Sequence, residues 1–416
     1  MAEPGAAPRR AALNMMTAVT AEGQPLHLLG GAVERLEPGD RARAERLATE
    51  ALRWAGRSDR MLGPYLRLKP DDLVLNALRL ALYEIHEGGA PAHAAVNAAV
   101  ELVPKRTKGL VNAVLRNTQR GEKAWSDLPL PQMRKWLRKP LISAWGKDAV
   151  AEIEVAQSKP APIDLTVADD VAAWAERLDG EILPTGSLRL RQLGQVSKLP
   201  GFAEGAWWVQ DAAAALPVRL LSPKRGETVL DICAAPGGKT MQIAASGAKV
   251  TALDRSDTRL DRLRENLERT RLAADIVVAD AFEWSPEGLF DAALVDAPCT
   301  ATGTLRRHPD LAFARSGWEL DALTALQTAM LDRALEWLKP GGRLVYCTCS
   351  LLPQEGEEQR DAMLARHPEL RVEDVLPVGA DPAWRSDGGG LRLRPEYWAD
   401  RGGMDGFFMV RLQKPA

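Results

Sequence analysis

Cys299 closes the run Asp296-Ala297-Pro298-Cys299, and Cys349 lies inside Thr348-Cys349-Ser350. Each follows an apolar stretch of strand type, "FDAALVDAP" and "GGRLVYCTCS". In a parallel sheet those two strands are expected as neighbours, so both thiols should face one pocket. One strand-end cysteine alone is more often a small buried apolar residue. Two together, placed beside a methyl donor, suit methylation of a pyrimidine at C5. That carbon is a poor nucleophile until a thiolate adds at C6 and makes the ring enamine-like. A second group must then remove the C5 proton so that the adduct can eliminate. Asp296 is placed to hydrogen-bond the N3 edge of the ring and assist the addition.

The donor site is read from "DICAAPGGKT", Asp231 to Thr240. It comes close to the phosphate-binding pattern G-x-x-x-x-G-K-[ST], but Cys233 stands where the first Gly belongs. A phosphate-loop reading would use Asp296 for magnesium and leaves Asp254 and the strand-end cysteines without work. An adenosyl cofactor accounts for all of them. Cys233, Ala234, Ala235, Pro236, Gly237, Gly238 and Lys239 form a loop whose glycines let backbone approach a ligand. Asp254 ends the next strand, 23 residues after Asp231, the spacing of an acid that binds ribose hydroxyls. Taken alone, Asp254 could equally be a helix N-cap. Asp280 ends the third strand and can accept from the adenine amine. Lys239 is either a cation near the cofactor carboxylate or one near the catalytic groups. Cys233 and Cys347 are taken as mainly structural.

These residues need a scaffold. From about residue 206, strands alternate with helices: "TVLDIC", "KTMQIAASG", "KVTALD", "RLDRLRENLERTRL", "ADIVVAD", "FDAALVDAP", "ELDALTALQTAMLDRALEWL" and "GGRLVYCTCS". That alternation predicts a Rossmann-like α/β domain over 206–416, a mostly parallel sheet with helices on both faces, binding ligands at the strands' carboxyl ends. Residues 9–122 instead repeat apolar positions at helical spacing, with "EPGD", "LKPDD", "EGGAPA" and "RTKG" as breaks, so 1–122 reads as an all-α domain. Residues 123–205 are expected to be a linker and a small mixed α/β subdomain.

Charge does little to name a partner: 54 Lys and Arg face 56 Asp and Glu. Local clusters matter more. "KRTKG" precedes a helix with Arg116 and Arg120 on one face, either an RNA contact or a solvated helix end. "MRKWLRKP" sets Trp136 among Arg134, Lys135, Arg138 and Lys139. It fits a stacking ring among phosphate contacts, or an amphipathic helix laid over a neighbour. No run of about 18 apolar residues is present, and the N-terminus lacks a signal-peptide core, so a cytoplasmic protein without membrane contact is expected. The four cysteines make no C-x-x-C pair, and no metal is expected.

The motifs "DICAAPGGKT", "ALDRS", "VVADAF", "LVDAPCTATGTLRRHPD" and "LVYCTCSLLPQEGE", with "WVQDAAAALP" and "LRLRPEYWADRGGMDGFFMVRL", resemble the successive motifs of the Nop2/Sun RNA cytosine-C5 methyltransferases. The likeness runs from about residue 195 to the end. It implies Cys349 as the nucleophile on C6, Cys299 as the thiol that promotes product release, and S-adenosylmethionine held by the 233–239 loop with Asp254, Asp280 and Asp296. The N-terminal "GDRARAERLATEALRW", "LRLALYEI" and "PAHAAVNAAVELVPKRTKGLVNAVLRN" resemble the helical RNA-binding fold of NusB. The pair resembles bacterial small-subunit ribosomal RNA methyltransferases, and so implies RNA as partner; nothing in the sequence demands more than a monomer. A transfer-RNA enzyme and a silent RNA-binding assembly or antitermination factor are the competing readings. Four positions depart from the family pattern: Thr166 and Ala168 where Arg and Asn are usual, Gly356 for Asn, and Glu396 for His.

Overall fold

The computed structural model describes residues 5–191 and 195–416, and these fall into two compact units. The first holds residues up to Lys159 together with Leu305–Gly317; the second holds Pro160–Thr304 and Trp318–Ala416.

The first unit is helical. Its members are α1 (Ala6–Glu22), α2 (Pro38–Arg53), α3 (Ala55–Leu62), α4 (Asp72–His86), α5 (Ala92–Leu102), α6 (Lys108–Arg120), α7 (Lys135–Trp145) and α8 (Lys147–Gln157). Helix α4 is the central one, buried from Val74 to Glu84. It starts where Asp71 accepts the Val74 backbone N–H at 2.8 Å, an N-cap that satisfies an orphan donor. Around it pack Leu13 and Met16 of α1, Leu47 of α2, Val96 of α5 and Leu115 of α6.

The second unit begins with a small antiparallel sheet of β1 (Asp164–Val167), β2 (Gly180–Ile182), β3 (Leu188–Leu190) and β4 (Trp207–Val209), in the order β2-β3-β1-β4. Helix α9 (Val171–Arg177) lies between β1 and β2 in the chain. The span 123–205, expected as a subdomain of its own, is therefore divided at residue 159. Its helices bury Leu137, Leu141, Val150 and Ile153 within the first unit, while its strands close a core of Leu165, Leu188 and Trp207 in the second.

The large sheet follows. Its elements are α10 (Ala212–Leu221), β5 (Thr228–Ile232), α11 (Gly238–Ala245), β6 (Lys249–Asp254), α12 (Asp257–Thr270), β7 (Asp275–Val278), β8 (Phe290–Asp296), α13 (Leu311–Ala314, in the first unit), α14 (Leu320–Glu336), β9 (Leu338–Thr348), α15 (Glu357–Arg366), β10 (Arg371–Val372), β11 (Leu391–Leu393) and β12 (Phe407–Gln413). The order is β10-β12-β9-β8-β5-β6-β7, with β11 on β12. Strands β5 to β9 run parallel, and β12 is antiparallel to β9. From β5 the chain builds outward to β6 and β7, then crosses to β8 and β9 on the other side. The switch point lies between β5 and β8, where open α/β sheets bind ligands.

Side chains alternate along the strands and so fill both faces. On β8, Ala293 and Val295 pack with Met330, Leu331 and Leu335 of α14, whereas Ala292 and Leu294 pack with Leu216 and Leu220 of α10. The small sheet joins α10 through a buried ion pair: the Asp164 carboxylate takes Arg189 Nε and Nη2 at 2.7 and 2.8 Å and the Ala212 N–H at 3.0 Å. Both side chains are almost fully buried. Arg189→Leu is expected to lower the unfolding free energy by about 3–5 kcal/mol, because it leaves a buried carboxylate unpaired. Urea unfolding followed by circular dichroism measures this; a loss under about 1 kcal/mol would refute the assignment.

Candidate active site

Parallel pairing sets the site. Asp296, the last residue of β8, lies opposite Cys347 of β9, so the two chains leave the sheet side by side. Three residues later on one and two on the other, Cys299 Sγ and Cys349 Sγ lie 3.5 Å apart. Cys299 is buried and Cys349 half-buried. The two thiols thus meet where neighbouring strands end.

Both loops are tied to one carboxylate. Glu355, fully buried, accepts the Thr300 N–H at 2.9 Å, the Thr300 hydroxyl at 2.5 Å and Gln327 Nε2 at 3.1 Å. Its backbone carbonyl accepts from the Thr348 and Tyr346 hydroxyls at 2.9 and 2.8 Å. Gln327 also donates to the Pro298 carbonyl at 2.9 Å. Beyond it, Arg392 Nη1 donates to the Ser350 carbonyl at 2.5 Å and Arg392 Nη2 pairs with Glu357 at 2.6 Å. These bonds clamp Pro298-Cys299-Thr300 and Thr348-Cys349-Ser350 from behind. None touches a sulfur.

The loop after β5 forms the cradle. Cys233 sits at φ 64°, and Gly237 at φ 105° is the N-cap of α11. A Cβ on Gly237 would lie 2.2 Å from Leu263 Cδ1, so glycine is required there by both backbone and space. Asp254, nearly buried at the end of β6, accepts the Ala235 N–H at 3.2 Å and the Ser256 N–H at 3.0 Å, and Arg259 approaches at 3.4 Å. The N-cap of α12 is Ser256, not Asp254. Asp280 is half-buried two residues beyond β7 and accepts the Phe282 N–H at 2.9 Å. Loop, Asp254 and Asp280 thus line successive strand ends.

Lys239, buried in the first turn of α11, reaches Asp296 at 2.7 Å. Burial, the largest single influence, pulls its pKa down, but the charge and hydrogen bond of Asp296 together with Cys347 and Asp231 hold it above the usual lysine value. Asp296 also faces Cys347 Sγ at 3.5 Å, and burial followed by that charge raises the Cys347 thiol. Cys299 is raised first by its hydrogen bond to Cys349 and then by burial, so it rests as a thiol. Asp231, fully buried on β5, accepts the Thr240 hydroxyl at 2.6 Å through Oδ2, while Oδ1 has no partner. Burial pushes its carboxyl up to about 7.

Of the residues singled out from sequence, Cys299 meets Cys349, Asp296 meets Lys239, and Asp254 and Asp280 lie on the same sheet edge. Sequence reasoning did not single out Glu355, Gln327 or Arg392. The acid within "LPQEGE" was the available signal, since it is a charge beside a strand-end cysteine. Three of the four departures have local partners or constraints, and nothing in the structure explains Ala168. Gly356 has no room for a side chain, as a Cβ would lie 2.3 Å from Arg392 Nη2 and 2.8 Å from Phe408 Cγ. Thr166 is buried on β1 and donates to Gln210 Oε1 at 2.7 Å. Glu396 pairs with Arg394 at 2.7 Å. Of the basic clusters, Arg116 and Arg120 are exposed, whereas the Trp136 ring is half-buried with its indole nitrogen enclosed. Among the described residues no group of three His, Cys, Asp or Glu side chains could hold a metal, and no helix is long and apolar enough to cross a membrane.

The NusB family model matches residues 6–120, and the model of the 16S rRNA methyltransferase RsmB/F matches residues 218–413. The ribosomal RNA small subunit methyltransferase B of Vibrio cholerae serotype O1 is 38% identical, the match covering 98% of this chain and 97% of that protein. The proteins of the same name from Vibrio vulnificus and Pseudomonas syringae pv. tomato are 36% and 37% identical, with 98% of this chain and 99% and 97% of theirs covered. This chain belongs to the ribosomal RNA small subunit methyltransferase B family. It is an RNA methyltransferase. Among solved structures, a methyltransferase homolog protein from Pyrococcus horikoshii is 27% identical, covering 66% of this chain and 93% of its own, with a TM-score of 0.56. The protein PH0851 shares the fold at a TM-score of 0.78, 24% identity and full coverage of both chains.

In this family member the lone buried acid of β5 makes stability depend on pH. The folded-state carboxyl of Asp231 is raised above its ordinary value of 3.8 to about 7, so the native state holds a proton that the unfolded chain has released. Its stabilisation is complete below the ordinary value and is lost as pH rises through about 7. Asp231→Asn keeps the acceptor for Thr240 and removes the titration. Wild type is expected to lose about 2.5 kcal/mol relative to Asp231→Asn between pH 5 and 8, one pKa unit being ~1.4 kcal/mol. Parallel pH–stability curves for the two proteins would refute the shift.

Proposed function

We propose that the protein transfers a methyl group from S-adenosylmethionine to C5 of a cytosine in small-subunit ribosomal RNA, through a covalent bond between Cys349 and C6. The observation that carries this reading is the approach of Cys299 and Cys349 to 3.5 Å at adjoining strand ends. A merely structural thiol would need no such partner.

The cradle fits the donor. Asp254 ends β6 with its oxygens turned to backbone N–H groups and Arg259, the placement of a ribose-binding acid. Gly237 allows close backbone approach, and Asp280 is left with acceptor capacity for an adenine amine. Lys239 is committed to Asp296, so it does not stand ready for a triphosphate as a phosphate-loop lysine would. S-adenosylmethionine, when bound, supplies an electrophilic methyl on a sulfonium. The chain's own residues do the rest.

The Cys349 thiolate adds to C6, and the displaced π electrons of the C5–C6 bond raise the electron density at C5 and N3. Asp296 accepts a hydrogen bond from the exocyclic amine, and Lys239 offsets its charge from behind. C5 then takes the methyl, and its C–H bond must break. Until this point Cys299 has been kept protonated mainly by its hydrogen bond to Cys349. Once the Cys349 sulfur is bonded to carbon, that cause is removed while burial and the Glu355 charge remain, so the Cys299 thiol becomes easier to ionise and can take the C5 proton. The electron pair from C–H reforms the C5–C6 double bond and expels the Cys349 thiolate. Thus one thiol adds and the other releases. We read the protein as acting in the cytoplasm, and nothing in its site demands more than a monomer.

A covalent trap tests both assignments. Cys299→Ala, incubated with S-adenosylmethionine and small-subunit rRNA lacking the modification, is expected to accumulate a protein–RNA adduct on a denaturing gel. The adduct should vanish in Cys299→Ala/Cys349→Ala. An adduct that persists in the double variant would mean that another residue is the nucleophile. An active wild type with methyl on any atom but C5 would sink the reaction class.

A further inference from the structure

The helical unit carries a half-open cavity of about 560 Å³, and every residue that lines it belongs to that unit. Its walls come from α2 and α3, from residues 131–136, from the end of α8 and from the segment Leu305–Phe313. This volume falls in the range of small-ligand sites. The mechanism above uses none of these residues.

The lining is unbalanced in charge and in hydrogen bonding. Its two acids are committed. Asp59 is held by Arg79 through two contacts of 2.7 Å, and Glu154 by Arg138 at 2.8 Å and the Met133 N–H at 2.9 Å. Of the four cations, Arg53 is paired with Glu50 at 3.0 Å, and the other three are less occupied. Arg60 donates to the neutral Gln132 side chain at 2.8 Å, and Arg134 lies 4.3 Å over the Phe313 ring. Among the described residues no ion pair reaches either of them or Lys135. Two enclosed donors, Trp136 Nε1 and Gln157 Nε2, have no acceptor. A buried donor left without a partner costs stability, and two in one cavity point to a ligand that supplies acceptors. The complement is an anionic, acceptor-rich and partly planar group. A nucleotide has all three properties: phosphate oxygens for the cations, ring nitrogens and carbonyls for the donors, and a face for the Arg134–Phe313 stack.

We propose that this cavity holds one unpaired nucleotide of the RNA substrate, its phosphate against Arg60, Arg134 and Lys135 and its base accepting from Trp136 and Gln157. The proposal rests on the RNA-methylating reading given above, and adds a subsite remote in sequence from the two cysteines. It also gives Trp136 a role that differs from the one expected of it: a hydrogen-bond donor rather than an exposed stacking ring. The segment that carries Phe313 begins six residues after Cys299 in the chain.

Gly56 of α3 provides the test. A Cβ there would have its nearest neighbour, Pro131, at 3.6 Å, ordinary contact, so Gly56→Leu fills the cavity without changing its charge. Full-length wild type, Gly56→Leu, and Arg134→Ala/Lys135→Ala are compared by methyl transfer to small-subunit rRNA, after their thermal midpoints are shown to agree. Both variants are expected to raise KM for RNA about tenfold or more while kcat stays within about twofold. The charge variant should also flatten the dependence of binding on salt by about one unit of slope for each phosphate no longer neutralised. An inactive wild type would overturn the methyltransferase reading itself. An active wild type with an unchanged KM in Gly56→Leu would overturn the subsite, including the case in which only the charge variant binds weakly. AMP is titrated as well: AMP binding abolished by Gly56→Leu with no effect on KM for RNA would assign the cavity to a free nucleotide and overturn the proposal.

Discussion

The parallel register of β8 on β9, with Asp296 opposite Cys347, is the constraint on which the site depends. It ends two strands at the same height on the same edge of the sheet. The loops that follow have no choice but to run beside each other, and the long stretch of intervening chain becomes irrelevant to the distance between Cys299 and Cys349. A slip of one residue would turn every β9 side chain to the opposite face. Val345 and Cys347, now packed toward α10, would exchange sides with Leu344 and Tyr346, which pack toward α14. The cost of burying the wrong side chains against both helical layers protects the register, and through it the chemistry.

The electrostatics follow from that placement. Three carboxylates, Asp231, Asp254 and Asp296, stand at the ends of three adjacent strands, and they interact. Each is handled differently. Asp296 has a lysine, Asp254 has backbone N–H groups and an arginine, and Asp231 has a hydroxyl and little else. The acid with the weakest compensation is the one whose carboxyl moves toward neutrality. The same logic governs the thiols. A hydrogen bond to its neighbour, more than burial, keeps Cys299 protonated, so its state is tied to what happens at Cys349.

Much of this was legible in the residues. The alternating strands of the large sheet could be read because short apolar runs of strand type alternate with helical ones, and the helices of the first unit because their apolar positions recur every three or four residues. The cysteines and the acids could be read because strand ends are where such sheets work. What escaped were contacts that no period encodes. Glu355 looks like a surface charge in "QEGEE" until its oxygens are seen to close the Thr300 turn. Gln327 lies on α14, whose pattern marks only which face is buried. The segment Leu305–Gly317, which reads as the tail of a cysteine motif, packs with the helical unit. Residues 123–205 mix helical and strand signals because they contribute to two cores, and composition alone cannot show where one core stops. Gly356, which reads as a departure from a family pattern, is required by the crowding of Arg392 and Phe408.

The position of Glu355 carries a consequence for how such a site can vary. One side chain, in contact with neither sulfur, fixes the turn that presents Cys299, and its own carbonyl fixes the strand end that presents Cys349. The two thiols therefore share one fastening, to which Gln327 and Arg392 add their own ties at Pro298 and Ser350. A substitution at Glu355 would therefore loosen both turns at once and shift the two thiols together.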